Sequence, residues 1–191
     1  MRVAVYCASS KSCDRAYHAA ARELGERLAE AGHEIVYGGG AVGSMGALAD
    51  GALAKGGRVI GVLPEFMHEL EWGHPGLDEL EIVEDMRTRK HRMLSVSDAA
   101  VALPGGTGTL EELLEALTLK RLGIYTRPIV LVNTLGFYQQ LVQLLEHCIG
   151  QRFMGDPHRD MWVLVNDPSE VLAAIDAAPP WDEAARSFAG M

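Results

Sequence analysis

The 191-residue chain holds little that would mark it for an oxidising compartment or for a metal. Its three cysteines, Cys7, Cys13 and Cys148, are odd in number and form no C-x-x-C pair, so neither a disulfide framework nor a zinc or dithiol motif is indicated. The seven histidines show no H-E-x-x-H or comparably tight ligand spacing, and no metal site is expected. Basic residues are also scarce. Seventeen lysines and arginines against 26 acidic residues leave a formal charge of −9, which argues against wrapping nucleic acid, because that needs a basic face. No stretch approaches the roughly 20 apolar residues of a membrane span, and "MRVAVYC" runs straight into a strand pattern without a cleavable hydrophobic signal. A cytoplasmic location and no membrane partner are the corresponding expectations.

What is present is a hydrophobic content of 48%, enough to bury one sizeable core, and a regular alternation of short β-branched runs with longer helical patterns. The runs are 2 to 7, 33 to 38, 58 to 64, 79 to 84, 98 to 104, 127 to 133 and 161 to 166. Several are apolar at nearly every position, as strands of a parallel sheet covered on both faces are. Helices are predicted over 14 to 31 (Asp14 as cap, Gly32 as stop), 43 to 55, 85 to 95, 108 to 122, 136 to 149 and 168 to 178. Residues 65 to 79 read as a loop with room for one short helix. The fold class is therefore α/β: a Rossmann-like, doubly wound, mostly parallel sheet forming a single nucleotide-binding domain over 1–191, with 179–191 as a tail packed on the surface or on a partner. Trp181 reads as tail packing, Trp162 as core or sheet edge, and Trp72 as a surface aromatic with a base-covering role as the alternative.

In such sheets ligands bind beyond the carboxyl ends of the strands. Two glycine loops lie there. "GGGAVG" fits G-x-G-x-x-G at Gly38, Gly40 and Gly43, with Glu65 about 20 residues on; a dinucleotide loop and a simple tight turn both account for it. "PGGTGT", 104 to 109, also leads into a helix, whose free N–H groups and dipole favour an anion. Neither loop carries the lysine of a Walker motif. Thr109-Leu110-Glu111-Glu112 matches a capping box, so Glu112 has a purely structural reading beside a catalytic one. Leu110, Leu113, Leu114 and Leu117 are predicted to form the core stripe of that helix, with Glu111 and Glu115 facing solvent and Leu119 hinting at a partner surface. "DMRTRKHRM", 85 to 93, is basic within an acidic chain: either a solvated helix face or a site in which Arg89 presents its planar fork to a phosphate or to ribose hydroxyls.

Taken together, "YGGGAVGSMG", "GVLPEF", "HPGLDELEIVEDMRTRKHRM" and "LPGGTGTLEELLE" resemble, in this order and spacing, the LONELY GUY (LOG) family of cytokinin-activating phosphoribohydrolases, from about residue 2 to about residue 178. The family signature P-G-G-x-G-T-x-x-E falls on Pro104, Gly105, Gly106, Gly108, Thr109 and Glu112, and its arginine-lysine pair on Arg89 and Lys90. The resemblance implies hydrolysis of the N-glycosidic bond of a nucleoside 5′-monophosphate, N6-prenylated AMP or AMP itself. It implies Arg89 and Glu112 as the catalytic pair and Glu65 as a further acidic site residue. Substrate would be bound by Ser9, Gly39, Gly40, Gly43, Met86, Arg89, Lys90, Gly105, Gly106, Thr107, Gly108 and Thr109. No metal or organic cofactor is implied, and a homodimer is. The chain departs from the family pattern at Ala8 (usually glycine), Ser44 (usually leucine) and Thr107 (frequently tyrosine), which bears on pocket shape rather than on reaction class.

Rival readings are a non-catalytic carrier of the same fold binding a phosphorylated pterin, a pyridoxal-dependent lysine decarboxylase, and a dinucleotide oxidoreductase. Among Lys11, Lys55, Lys90 and Lys120 no residue stands out in the sequence as a Schiff-base site.

Overall fold

A computed structural model describes residues 1–70 and 72–187; the last part of the expected tail, 188–191, and residue 71 of the expected loop lie outside the described residues. The elements run β1 (Arg2–Tyr6), α1 (Arg15–Glu30), β2 (Glu34–Tyr37), α2 (Gly43–Ala54), β3 (Val59–Pro64), α3 (Glu65–Glu69), β4 (Glu79–Val83), α4 (Met86–Ser95), β5 (Ala99–Ala102), α5 (Thr107–Arg121), β6 (Ile129–Val132), α6 (Gln139–Gly150), β7 (Val163–Val165) and α7 (Val171–Asp176). Each expected strand segment carries a strand, trimmed at its ends. The described strands form one sheet in the order β4-β3-β2-β1-β5-β6-β7, every pair parallel. This is the Rossmann-like doubly wound arrangement.

Alternation along each strand splits the core into two layers. Val3 and Val5 pack with Leu24 and Leu28 of α1, Leu48 and Ala52 of α2 and Val171 of α7. Ala4 and Tyr6 face the other way, with Met93 of α4, Leu113 and Leu117 of α5 and Leu145 of α6. Asp14 caps α1 by accepting from the Ala16 N–H at 2.8 Å, and Gly32 ends the turn with φ +73, as expected from the sequence.

Three expectations change. The helix predicted from 136 begins at Gln139, because Thr134–Gly136 form a separate 3₁₀ turn in which Leu135 has φ 54. The helix predicted over 168 to 178 is a 3₁₀ turn at Pro168–Glu170 followed by the short α7. The core stripe of α5 is rotated: Thr109, Glu112, Leu113, Ala116, Leu117 and Lys120 are buried, whereas Leu114 is 43% exposed. Two ionisable side chains, Glu112 and Lys120, take inward positions that a hydrophobicity pattern assigns to leucines.

Lys120 is fully buried; its ammonium donates to the Arg127 carbonyl at 2.8 Å and sits 5.8 Å from the centre of the Trp181 ring. The tail lies across it, with Trp181 Nε1 donating to the Lys120 carbonyl at 2.6 Å. Burial pulls the Lys120 pKa from 10.5 down to about 8. Between those values the unfolded chain binds more protons than the fold, so this group adds stability as pH rises from about 8 and costs stability below it. In denaturant unfolding from pH 7 to 10, the stability of wild type minus that of Lys120→Met should climb above pH 8; a flat difference would contradict the buried-charge assignment.

Candidate active site

The chain moves outward from β1 through β2, β3 and β4, then returns to the other side of β1 as β5. The loops leaving β1 and β5 therefore diverge and open a crevice at their carboxyl ends. Two helices begin beside it, α2 and α5, and neither Val42 nor Gly106 at their starts supplies a side-chain cap. In α5 the first internal bond runs from Leu110 N to Gly106 O, so the N–H groups of Thr107, Gly108 and Thr109 have no acceptor within the helix. The capping box is overturned by this geometry. Thr109 is the third residue of α5 and buried, and the Glu112 carboxylate does not reach back to the helix start because it is held by Arg89.

The glycine loops are braced by their neighbours. Gly43 has φ +64, and a Cβ there would lie 2.5 Å from the Ser10 carbonyl oxygen, so only glycine lets α2 start against the β1 loop. Met45 N closes the same contact by donating to Ala8 O at 3.1 Å. Gly40 bridges Gly73, and His74 N donates to Gly39 O at 2.9 Å, so part of the expected 65 to 79 loop is pinned across the first glycine loop. The rest begins with the short α3, within the room the sequence left for one helix. On the second loop, Tyr138 Oη donates to Leu103 O at 2.8 Å. Nothing in "GFYQQ" signals that role, since its partner is a backbone carbonyl 35 residues away.

Between the loops lies a buried ion pair. Arg89 Nη1 of α4 donates to Glu112 Oε1 of α5 at 2.8 Å, with side-chain exposures of 5% and 4%. Arg89 Nε donates to Val62 O, within β3, at 3.0 Å. Burial pushes the Glu112 carboxyl above its ordinary value; Arg89 opposes this and Glu111 adds to it. Burial also raises the Tyr6 hydroxyl, with the Glu112 charge adding to it, and raises the Cys7 thiol. Lys90 pairs with Glu111 and, at 2.6 Å, with Glu115, so these two acids are not simply solvent-facing. Glu112 and Lys90 line a groove of about 440 Å³ between α4 and α5, together with Tyr6, Leu94, Ala116 and Tyr125.

The other sequence-predicted residues lie on strand-end loops and helix starts. Gly105 and Gly106 form the turn into α5, and Thr107, Gly108 and Thr109 are its first three residues; Gly39 and Gly40 lie in the turn before α2, which Gly43 opens. Ser9 is exposed on the β1 loop, and Met86 is the half-buried first residue of α4. Glu65 opens α3 and is exposed, with no hydrogen bond or ion pair to Arg89 or Glu112. No group of three or more histidine, cysteine or acidic residues among those described could hold a metal ion, and the three cysteines are unpaired.

Fold and site together define a Rossmann-like α/β protein with two helix starts that lack side-chain caps, beside a buried arginine–glutamate pair. A family model described as "Possible lysine decarboxylase" matches residues 45–175. The chain is 39% identical to the cytokinin riboside 5′-monophosphate phosphoribohydrolase of Rhodococcoides fascians, over 91% of this chain and 88% of that protein. It is 37% identical to LOG3 of Arabidopsis thaliana, which carries the same enzyme name, over 95% and 85% respectively. In structure it is similar to the molybdenum cofactor carrier protein of Chlamydomonas reinhardtii, with a TM-score of 0.71, 22% identity and coverage of 93% and 96%. That likeness concerns the fold. The chain belongs to the LOG family of these phosphoribohydrolase relatives.

Gly43→Ala combines a left-handed backbone with a clash against a carbonyl, so it should cost about 2–4 kcal/mol and lower the melting temperature by several degrees. A melting curve indistinguishable from wild type would show that α2 does not depend on this contact.

Proposed function

We propose that the chain hydrolyses the N-glycosidic bond of nucleoside 5′-monophosphates, N6-prenylated AMP and/or AMP, giving the free base and ribose 5-phosphate. The observation that carries this reading is the buried Arg89–Glu112 pair beside two glycine-rich helix starts that lack side-chain caps. Among its relatives, those of R. fascians and A. thaliana bear the name of that activity.

The 5′-phosphate is placed at the N–H groups of Thr107, Gly108 and Thr109, with Gly105, Gly106 and the Ser9 and Gly39–Gly43 loops around it. Glu112 lies five residues beyond Thr107, about 7.5 Å along the helix axis, comparable with the reach of a ribose 5-phosphate. As the C1′–N bond breaks, its electron pair leaves with the base and positive charge builds on the sugar. The Glu112 carboxylate stabilises that charge and orients the water, whose oxygen bonds to C1′ as it gives up one proton and the departing base nitrogen gains one. Phosphate binding holds the sugar in reactive geometry although it is remote from the breaking bond. Arg89, bound to both Glu112 and Val62 O, holds the carboxylate in place and ionised against its burial. Lys90 and Met86 complete the α4 side of the site, and Glu65, three residues beyond Val62, is the carboxylic acid on the β3 side.

A pyridoxal-dependent decarboxylase fits less well. Lys90 is committed to Glu111 and Glu115, and Lys120, although buried with a lowered pKa, faces Arg127 at the end of the sheet opposite the crevice. The homodimer belongs to the same proposal: Leu114, Leu122 and Ile124 leave α5 and its following turn with exposed apolar surface. So does the cytoplasmic location; among the described residues no helix is long and apolar enough to cross a membrane.

Base release from N6-isopentenyl-AMP, AMP and the two unphosphorylated nucleosides tests this directly. The nucleosides should be slower by about 10²-fold or more in kcat/KM, and equal rates on all four would remove the phosphate anchor. Glu112→Gln should lower kcat by about 10²–10³-fold while nucleotide still binds; surviving turnover would take Glu112 out of the mechanism. Because the carboxyl must be ionised and its pKa is raised, kcat/KM should fall with decreasing pH along a limb lying above 4.5, and a limb at or below that value would contradict the buried-carboxylate assignment.

A further inference from the structure

We propose that Gly38 is a positioning residue for catalysis, its missing side chain being the slot that admits the Arg89 guanidinium to Glu112. A Cβ built on Gly38 would lie 1.8 Å from Arg89 Nη2 and 3.0 Å from Cζ. The backbone does not call for glycine here, since Gly38 lacks the positive φ that Gly39 shows at +76. What calls for it is the arginine. Arg89 cannot step aside without loss, because Nε is bonded to Val62 O and Nη1 to Glu112, and the residue is 4% exposed. A methyl group at this position therefore pushes the guanidinium off the carboxylate, and Gly38 acts on the reaction only through Arg89. This rests on the reading of Arg89 and Glu112 as the catalytic pair.

The test uses four full-length proteins: wild type, Gly38→Ala, Arg89→Lys and the double variant, assayed for adenine release from AMP and for melting temperature. Gly38→Ala should lower kcat/KM by about 10–100-fold, since misplacement by an ångström costs that much. Its acid limb should move to higher pH as the cation that opposes burial is displaced. In Arg89→Lys the shorter side chain ends about where Cζ lies, so the 1.8 Å overlap becomes a close contact of about 3.0 Å at the free end of a flexible side chain. There the same glycine substitution should change kcat/KM by less than about twofold. An unaltered rate and acid limb in Gly38→Ala, or an equal loss in both backgrounds, overturns the proposal. If Gly38→Ala does not fold, the double variant should regain a native melting transition, and its failure to do so also overturns the proposal. If wild type releases base from neither AMP nor N6-isopentenyl-AMP, the enzymatic reading fails instead. The slot is still decided by melting: Arg89→Lys must restore the stability lost in Gly38→Ala.

Discussion

Everything in the site is organised around one buried charge pair. A carboxylate and a guanidinium taken out of water each carry a large desolvation penalty, and their mutual attraction offsets it only when geometry is good and the remaining donors find acceptors. Here Glu112 and Arg89 meet at 2.8 Å, and Nε of the arginine finds the Val62 carbonyl. The pair joins α4 to α5 and ties both to β3, so it orients a reactive group and fastens two helices at once. Its net effect on the carboxyl is still a raised pKa, because burial outweighs the neighbouring cation. A group held in that state suits a site in which positive charge forms close by.

The fold supplies the setting for this pair through chain direction. Reversal of strand order between β1 and β5 parts two loops at the same end of the sheet: the β5 loop leads into α5, the β1 loop packs on the start of α2, and neither of those two helices has a side-chain cap. Open N–H groups would be costly if buried, yet Thr107 and Gly108 are exposed at the crevice. The glycines near these turns serve different physical needs. Gly43 permits a left-handed turn against a carbonyl, and Gly105 leaves room for the Thr109 side chain, whose Oγ1 would lie 2.2 Å from an added Cβ.

The opposite end of α5 shows the same principle without chemistry. Lys120 is buried without a carboxylate among the contacts described, held by a carbonyl and covered by Trp181 of the tail. A decarboxylase would seek such a lysine in its active site, and the topology puts it at the wrong edge of the sheet. Family membership and residue placement thus point to different chemistry from that in the family model's description.

Local chemistry made much of this legible in the amino-acid order alone. β-Branched runs, glycine after the strands and Asp14 before its helix all follow short-range rules, so the parallel α/β sheet and both glycine loops could be read directly, whereas Arg89 and Glu112 were matched as a pair only by resemblance to the family. Only tertiary structure decided where α5 points its faces. A capping box and a leucine stripe are statements about one helix, whereas Glu112 turns inward because Arg89, on another helix, waits there, and Leu114 is exposed as the consequence. The pairing of Lys90 with Glu111 and Glu115, and the support of Leu103 by Tyr138, were hidden for the same reason: each partner is brought near by the fold, across 21 to 35 residues of chain.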